Sequence, residues 1–283
     1  AAGINTAYDI AQKYFIDGGN NRVILATDGD LNVGLSSESE LTRLIEEKRE
    51  SGVFLSVLGF GTGNYKDNRL EALADYGNGN YSYIDSEKEA KKVLVDEMSG
   101  TLFTVAKDVK FQLEFNPANV KGYRLIGYEN RVMAAEDFND DTKDAGEIGA
   151  GHNVTVLYEI VPADSKMELG ESELKYASDS EGVMGDELLT VNIRYKEPEG
   201  SESKLLTYPV NKSLYSDKMS ADMNFASCVA EFGMLLRNSR YIGDVTYKDV
   251  SAQLSKYDYS DDDYKDEFIY LVNTMKRRDT NPQ

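Results

Sequence analysis

The sequence contains no tryptophan, one cysteine, one histidine and five prolines. A single cysteine, Cys228, excludes an internal disulfide and any multi-cysteine zinc or iron-sulfur centre. It lies in FASCVAEFGMLL, an apolar helical pattern, and so reads as a small core residue rather than a nucleophile. A Ser, His, Asp triad would have to use His152, and nothing near that residue resembles a nucleophile elbow, so hydrolytic catalysis has no constellation behind it. No run of 18 apolar residues occurs, and no membrane-spanning helix is expected. Positive charge is also scarce, with 31 Lys and Arg against 50 Asp and Glu, a net charge of -19. Nucleic acids and anionic membranes need clustered cations to release their counterions, so both are poor partners for this chain. A cation or a basic protein surface fits the acidity better, and much of it also serves as ordinary solvated surface.

What is present suits a soluble globular protein: 283 residues, 41% hydrophobic and 29% charged, are enough for two domains. The first hundred residues alternate helix and strand. Ile4, Ala7, Tyr8, Ala11, Tyr14 and Phe15 predict an amphipathic helix over about 2 to 16. Val23 to Thr27 is an apolar run of the kind buried on both faces of a parallel sheet. Ser37 with Glu40 forms a capping box before a helix carrying Leu41, Leu44 and Ile45, which Gly52 ends. A second buried strand, Val53 to Phe60, leads through GFGTGNYKDN to a short helix around Leu70, Leu73 and Ala74, then the turn Gly77, Asn78, Gly79 and a third strand, Tyr81 to Ile84. Ser86 with Glu89 opens a helix lined by Ala90, Val93, Leu94 and Met98. This is half of a doubly wound α/β sheet, and the central strands of a complete domain are expected upstream of Ala1.

From about Phe103 the apolar period changes to 2. Val109 to Phe115, Val154 to Ile160 and Leu189 to Tyr195 alternate as half-buried strands, and with Tyr123 to Tyr128, Val132 to Ala134 and Leu205 to Val210 they predict a β-sandwich. Helical stripes return at Phe225, Val229, Phe232 and Leu236 and at Phe268, Leu271, Val272 and Met275, with a shorter helix from about Thr246 to Leu254 between them. The expected division is 1-102 for the α/β part, 103-217 for the β-sandwich and 218-283 for a helical segment.

The stretches VILATDGDLNVG and FLSVLGFGTGNYKDNRLEALADYGNGNYSYID resemble the second half of a bacterial von Willebrand factor type A domain. FNPANVKGYRLIGYENR, EDFNDDTKDAGEIGAGHNVTVLYEI and FASCVAEFGMLLRNSRY resemble the segment that accompanies such domains in exported or lipoprotein-anchored members. The resemblance implies a partial Rossmann-like sheet and a metal-ion-dependent adhesion site, built in that family from a DxSxS motif, a Thr before a central helix and the Asp of a TDG turn. Only the third element is present, with Asp28 as the ligand and Thr27 and Asp30 at its rim. Thr6 already lies inside the first helix and is a poor substitute for the missing Thr. Mg²⁺ or another divalent cation is therefore expected in a full-length protein and weakly or not at all in this chain, because a hard cation takes several oxygen ligands.

Other motifs compete poorly. Asp28, Asp30 and Asn32 begin like a calcium loop, but an EF-hand needs Gly and Glu where Val33 and Ser39 stand. Gly59 to Asn64 lacks the third glycine of a dinucleotide fingerprint, and Gly61 and Gly63 read instead as letting this loop pass close to the TDG turn. Asp137 to His152, acidic and glycine-rich, reads as a solvated turn in preference to a calcium loop. Tyr65, Tyr76, Tyr81 and Tyr83 suit either an interface or core packing. The expected function is a non-enzymatic protein-binding or adhesion module, outside the cytoplasm or on the cell surface, engaging a partner carboxylate. The alternative is an intracellular accessory subunit of a metal chelatase or AAA-type ATPase.

Overall fold

The computed structural model describes residues 2-28, 38-61, 67-98, 100, 103-128, 131-169, 185-198 and 200-280. Two compact units emerge, Ala1–Gln112 with Ala135–Val154 and Asn192–Leu206, and Leu113–Ala134 with Thr155–Val191 and Thr207–Gln283. The fold is mixed α/β, with a parallel sheet, antiparallel pairing and C-terminal helices, in agreement with the class expected from the sequence.

In the first unit, α1 (Ala2–Lys13) buries Ile4 and Tyr8, four residues apart on one face. Tyr14 and Phe15, expected in the same stripe, lie beyond its end and are exposed. The Asn21 side chain accepts from Ile16 N and donates to Ile16 O, both at 2.9 Å, which closes a turn there instead of a further helical one. The strands β1 (Arg22–Thr27), β2 (Phe54–Phe60) and β3 (Tyr81–Ile84) are parallel in the order β1-β2-β3. Between them run α2 (Glu38–Arg49) and α3 (Asp67–Tyr76), whose Leu41, Ile45, Leu70, Leu73 and Ala74 share one core with Leu55 and Val57 of the central strand. Ser37, the expected cap of α2, lies outside the described residues.

Ser86 does cap α4 (Glu87–Lys91), its Oγ accepting from Glu89 N at 3.2 Å. The expected stripe then fails beyond Val93, because Leu94 and Met98 are exposed. The reason is local: α4 passes into a π turn, Lys92–Asp96, in which Glu97 N reaches Lys92 O at 2.8 Å, and the wider turn breaks the 3.6-residue period.

The remaining strands are β4 (Thr104–Phe115), β5 (Val120–Ile126), β6 (Gly146–Gly149), β7 (Leu157–Pro162), β8 (Glu187–Lys196) and β9 (Lys204–Asn211). They form a four-stranded sheet in the order β6-β4-β8-β9 and a separate antiparallel β5-β7 pair. Val132 to Ala134 is not a strand, and the expected strand at 154 begins only at Leu157. Within β4 the expected alternation fails at one step, with Phe111 exposed and Lys110 5% exposed, while Glu114 is exposed between the half-buried Leu113 and Phe115 as expected. Asp108 sits at φ +51° and the pairing with β6 shifts register between Ala106 and Val109, an irregularity just ahead of Lys110 and Phe111.

In the second unit, α5 (Ala221–Leu236), α6 (Tyr247–Leu254) and α7 (Asp263–Thr280) enclose Cys228, Phe232, Val250, Leu254, Tyr259 and Val272. Cys228 is fully buried, as its apolar context implied, and burial pushes its thiol up to about 11. Val229, Leu236 and Leu271 of the predicted stripes are exposed, and the inward line of α5 runs through Asn224, Cys228 and Phe232. Asn224 is 2% exposed because its amide donates to Tyr259 Oη at 3.1 Å and to Gln253 O at 3.2 Å, while Tyr259 Oη donates to Ala221 O at 2.8 Å. Asn224→Ala is expected to lower stability by about 2 kcal/mol in urea unfolding, since it leaves these acceptors without their donor; a loss under about 0.5 kcal/mol would refute a structural role for the network.

Candidate functional site

At the carboxyl edge of the parallel sheet, Thr27 pairs in register with Gly59, and Gly59 with Tyr83. Asp28 follows the last residue of β1 and is exposed. Gly61, the first residue after β2, adopts φ +99°, and a side chain there would begin 3.9 Å from the Asp28 Cβ and carbonyl oxygen. The Tyr83 hydroxyl donates to Gly61 O, which ties β3 to the residue after β2. The loop after β2 thus does approach the Asp28 turn, at Gly61; Gly63 lies outside the described residues. Tyr76 and Tyr83 are exposed, whereas Tyr81 packs against the core.

Thr27 is half-buried beside Asp28, and Thr6 lies on α1 as expected. Gly29, Asp30, Asn32 and Tyr65 lie outside the described residues. Among the described residues no group of three or more His, Cys, Asp or Glu side chains is placed to hold a metal ion. Asp28 therefore presents one carboxylate, where a Mg²⁺ or Ca²⁺ site gathers six or more oxygens.

The acidic stretch from Asp137 departs most from expectation. It is only in part a solvated turn: residues 141-144 are an exposed turn, but a 3₁₀ turn, Ala135–Asn139, buries Phe138, and Gly146–Gly149 is strand β6 on β4. Lys110 Nζ donates to Asp137 O at 3.1 Å and Asp140 O at 2.5 Å. Lys196, 8% exposed, donates to Asp108 Oδ2 at 2.7 Å and Asp141 O at 2.8 Å. Arg194 reaches Asn139 Oδ1 at 3.2 Å and Asp141 Oδ1 at 3.0 Å. A hydrogen bond from the Ser203 hydroxyl, with Arg194 beside it, holds the Asp141 carboxyl down to about 2. The lysines thus hold the backbone carbonyls of this segment, while the Asp108 and Asp141 carboxylates are engaged by Lys196, Arg194 and Ser203, an arrangement that supports a loop. The signal available in the sequence was two lysines in strands that otherwise alternate apolar residues, opposite an Asp-rich loop.

The Escherichia coli (strain K12) protein described as Uncharacterized protein YfbK is 44% identical over 276 residues, 96% of this chain and 47% of that protein. The chain thus spans about half the length of the curated relative it matches. Among solved structures, a von Willebrand factor type A protein from Catenulispora acidiphila is similar at 14% identity and a TM-score of 0.37, covering 94% of this chain and 61% of that one. The human COPII-coat protein Sec24c is similar at 12% identity and a TM-score of 0.36, covering 89% and 33%. Residues 100–277, from the antiparallel strands through the C-terminal helices, match the family described as Uncharacterized protein YfbK, C-terminal, and the chain belongs to that family.

Proposed function

We propose that this chain is a non-enzymatic protein-binding module of the von Willebrand factor type A kind, whose recognition surface is the carboxyl edge of the parallel sheet. The observation that carries the reading is the exposed Asp28, standing past the end of β1 with Gly61, itself held by the Tyr83 hydroxyl, close beside it. Open α/β sheets place their ligands at this edge, where strand ends deliver polar groups and the helices leave room. Tyr83, exposed and in register with Gly59 at this edge, is a side chain that interfaces favour.

A lone carboxylate does not fit a hard divalent cation, so a cation enters this reading only with ligands from outside the described residues. Titrating Mg²⁺ or Mn²⁺ into the chain by calorimetry is expected to give no saturable heat below about 1 mM; tighter binding would show that these residues make a complete site. The protein-binding reading is tested by using the chain as bait, wild type against Asp28→Ala. The substitution is expected to reduce captured partner about tenfold, as loss of a central polar contact does, and undiminished capture would remove Asp28 from the surface.

A further inference from the structure

The exit from α5 is set by local chemistry. Asn238, at φ +49°, makes the left-handed turn that closes the helix, with Asn238 N donating to Leu235 O at 3.1 Å and Ser239 N to Met234 O at 2.9 Å. This fixed turn delivers Arg240 and Tyr241 to the surface of the second unit, where both are exposed. There the Tyr241 ring meets two guanidinium groups: the central carbon of Arg124, from β5, lies 4.3 Å from the ring centroid, and that of Arg240 lies 4.6 Å from it. Arg240 Nη2 also donates to the Tyr241 hydroxyl. The two arginines differ in what they hold. Arg124, with its side chain 24% exposed, is engaged by Glu159, its register partner on β7: Nε donates to Oε2 at 3.0 Å and Nη2 donates to the same oxygen. Arg240 has no carboxylate within ion-pair distance among the described residues. The chain has 50 acidic side chains against 31 basic ones, so this arginine is kept apart by its setting and not by scarcity of carboxylates.

We propose that Arg240 and Tyr241, braced by Arg124, form a docking site for an acidic peptide segment of a partner protein, with Arg240 taking a carboxylate of that segment. A guanidinium carries its N–H donors in a planar fork that matches a carboxylate, and the Tyr241 hydroxyl occupies one of them on Arg240, leaving others for a ligand. The ring and the hydroxyl hold the Arg240 side chain in place beforehand, which lowers the ordering cost that a free surface arginine meets on binding. The neighbouring Arg124–Glu159 pair is the precedent within the chain, a carboxylate held by a guanidinium that lies against the same ring. Arginine and tyrosine are also the side chains that most often carry the binding energy of an interface. A peptide with one or two carboxylates meets little of the repulsion that a net charge of -19 exerts on a polyanion. All of these groups belong to the second unit, so the site stands or falls independently of Asp28.

The test is an NMR titration of the nitrogen-labelled intact chain, at constant ionic strength, with a capped tetrapeptide carrying two glutamates. The expected result is saturable movement of the Arg240 Nε–H signal and the Tyr241 amide with a Kd of about 1 mM or tighter. The same peptide with glutamines in place of glutamates is expected to move neither. Arg240→Gln is expected to weaken binding about tenfold, the cost of a charge-assisted pair. Lys248→Gln, which removes the same charge from an exposed position on α6, is expected to leave the affinity unchanged. The proposal is overturned if the glutamate peptide gives no saturable shift, if the glutamine peptide or inorganic phosphate gives the same shifts at the same concentration, or if the two substitutions act equally. It is also overturned if these signals move when the chain alone is concentrated, since the occupant would then be a second copy. The wild-type titrations decide the matter even if a variant fails to fold.

Discussion

Gly79→Ala is expected to unfold the α/β layer, with a loss of at least about 3 kcal/mol and no cooperative urea transition if the wild type is of ordinary stability. A Cβ at this position would lie 1.8 Å from the carbonyl oxygen of Leu55 and 2.9 Å from Ser56 N, and both are backbone atoms of the central strand β2. The side chain cannot move out of the way, so β2 or the turn must. The turn is bonded to the strand on either side of the contact: Leu55 N donates to Gly77 O at 2.8 Å and Val57 N to Asn80 O at 2.9 Å. Leu55 and Val57 are themselves fully buried, and any shift of β2 opens the core they fill. Gly3→Ala is the control, since nothing lies within 4 Å of a Cβ there and the helix gains from alanine by up to about 1 kcal/mol. Far-ultraviolet circular dichroism in urea reads both variants. A Gly79→Ala protein as stable as the wild type would mean that the turn does not pack on β2 as described.

Lys110→Met is expected to cost about 2 to 4 kcal/mol and to release the 135-149 segment first. Methionine keeps most of the apolar stem of lysine, so the loss isolates the ammonium. That ammonium supplies hydrogens to the carbonyl oxygens of Asp137 and Asp140, and without it both acceptors lose a charge-assisted bond in a half-buried setting. Lys143→Met provides the contrast. Its ammonium is 3.4 Å from Asp137 Oδ1 with the lysine side chain half exposed, and a pair of that kind contributes about 0.5 kcal/mol or less. Hydrogen exchange over 135-149, measured beside urea unfolding, separates loss of the segment from loss of the whole unit. Equal effects of the two lysine substitutions would show that burial of Lys110 carries no weight.

The sequence and the structure agree where a local rule and burial point the same way. The α/β alternation is legible because each apolar run ends in a cap or a glycine: Ser86 caps α4, and Thr246 with Asp249 forms a capping box on α6. Agreement ends where a single irregular residue resets a period. Asp108 at φ +51° disturbs β4 just ahead of Lys110 and Phe111, the π turn after α4 rotates Leu94 outward, and the buried Asn224 network selects a neighbouring face of α5. A periodicity count assumes uniform geometry and cannot register any of these.

The candidate site divides along the same line. Asp28 stood out in the sequence as the carboxylate after an apolar run, yet that run is only half-buried, with Ile24 50% exposed, and the approach of Gly61 to Asp28 follows from the parallel register of β1 and β2. The role of the acidic segment was not legible, since nothing local shows that Lys110 and Lys196 bond its backbone carbonyls and Arg194 its Asp141 carboxylate from strands far away in the chain. The sequence by itself determined most of the helices and strands, that one lone cysteine is core, and that a carboxylate follows the first strand. Those are outcomes of short-range sterics and of the hydrophobic period. Only the tertiary structure decided which faces are buried and which acidic groups already have a cation, because both depend on pairings between residues distant in sequence.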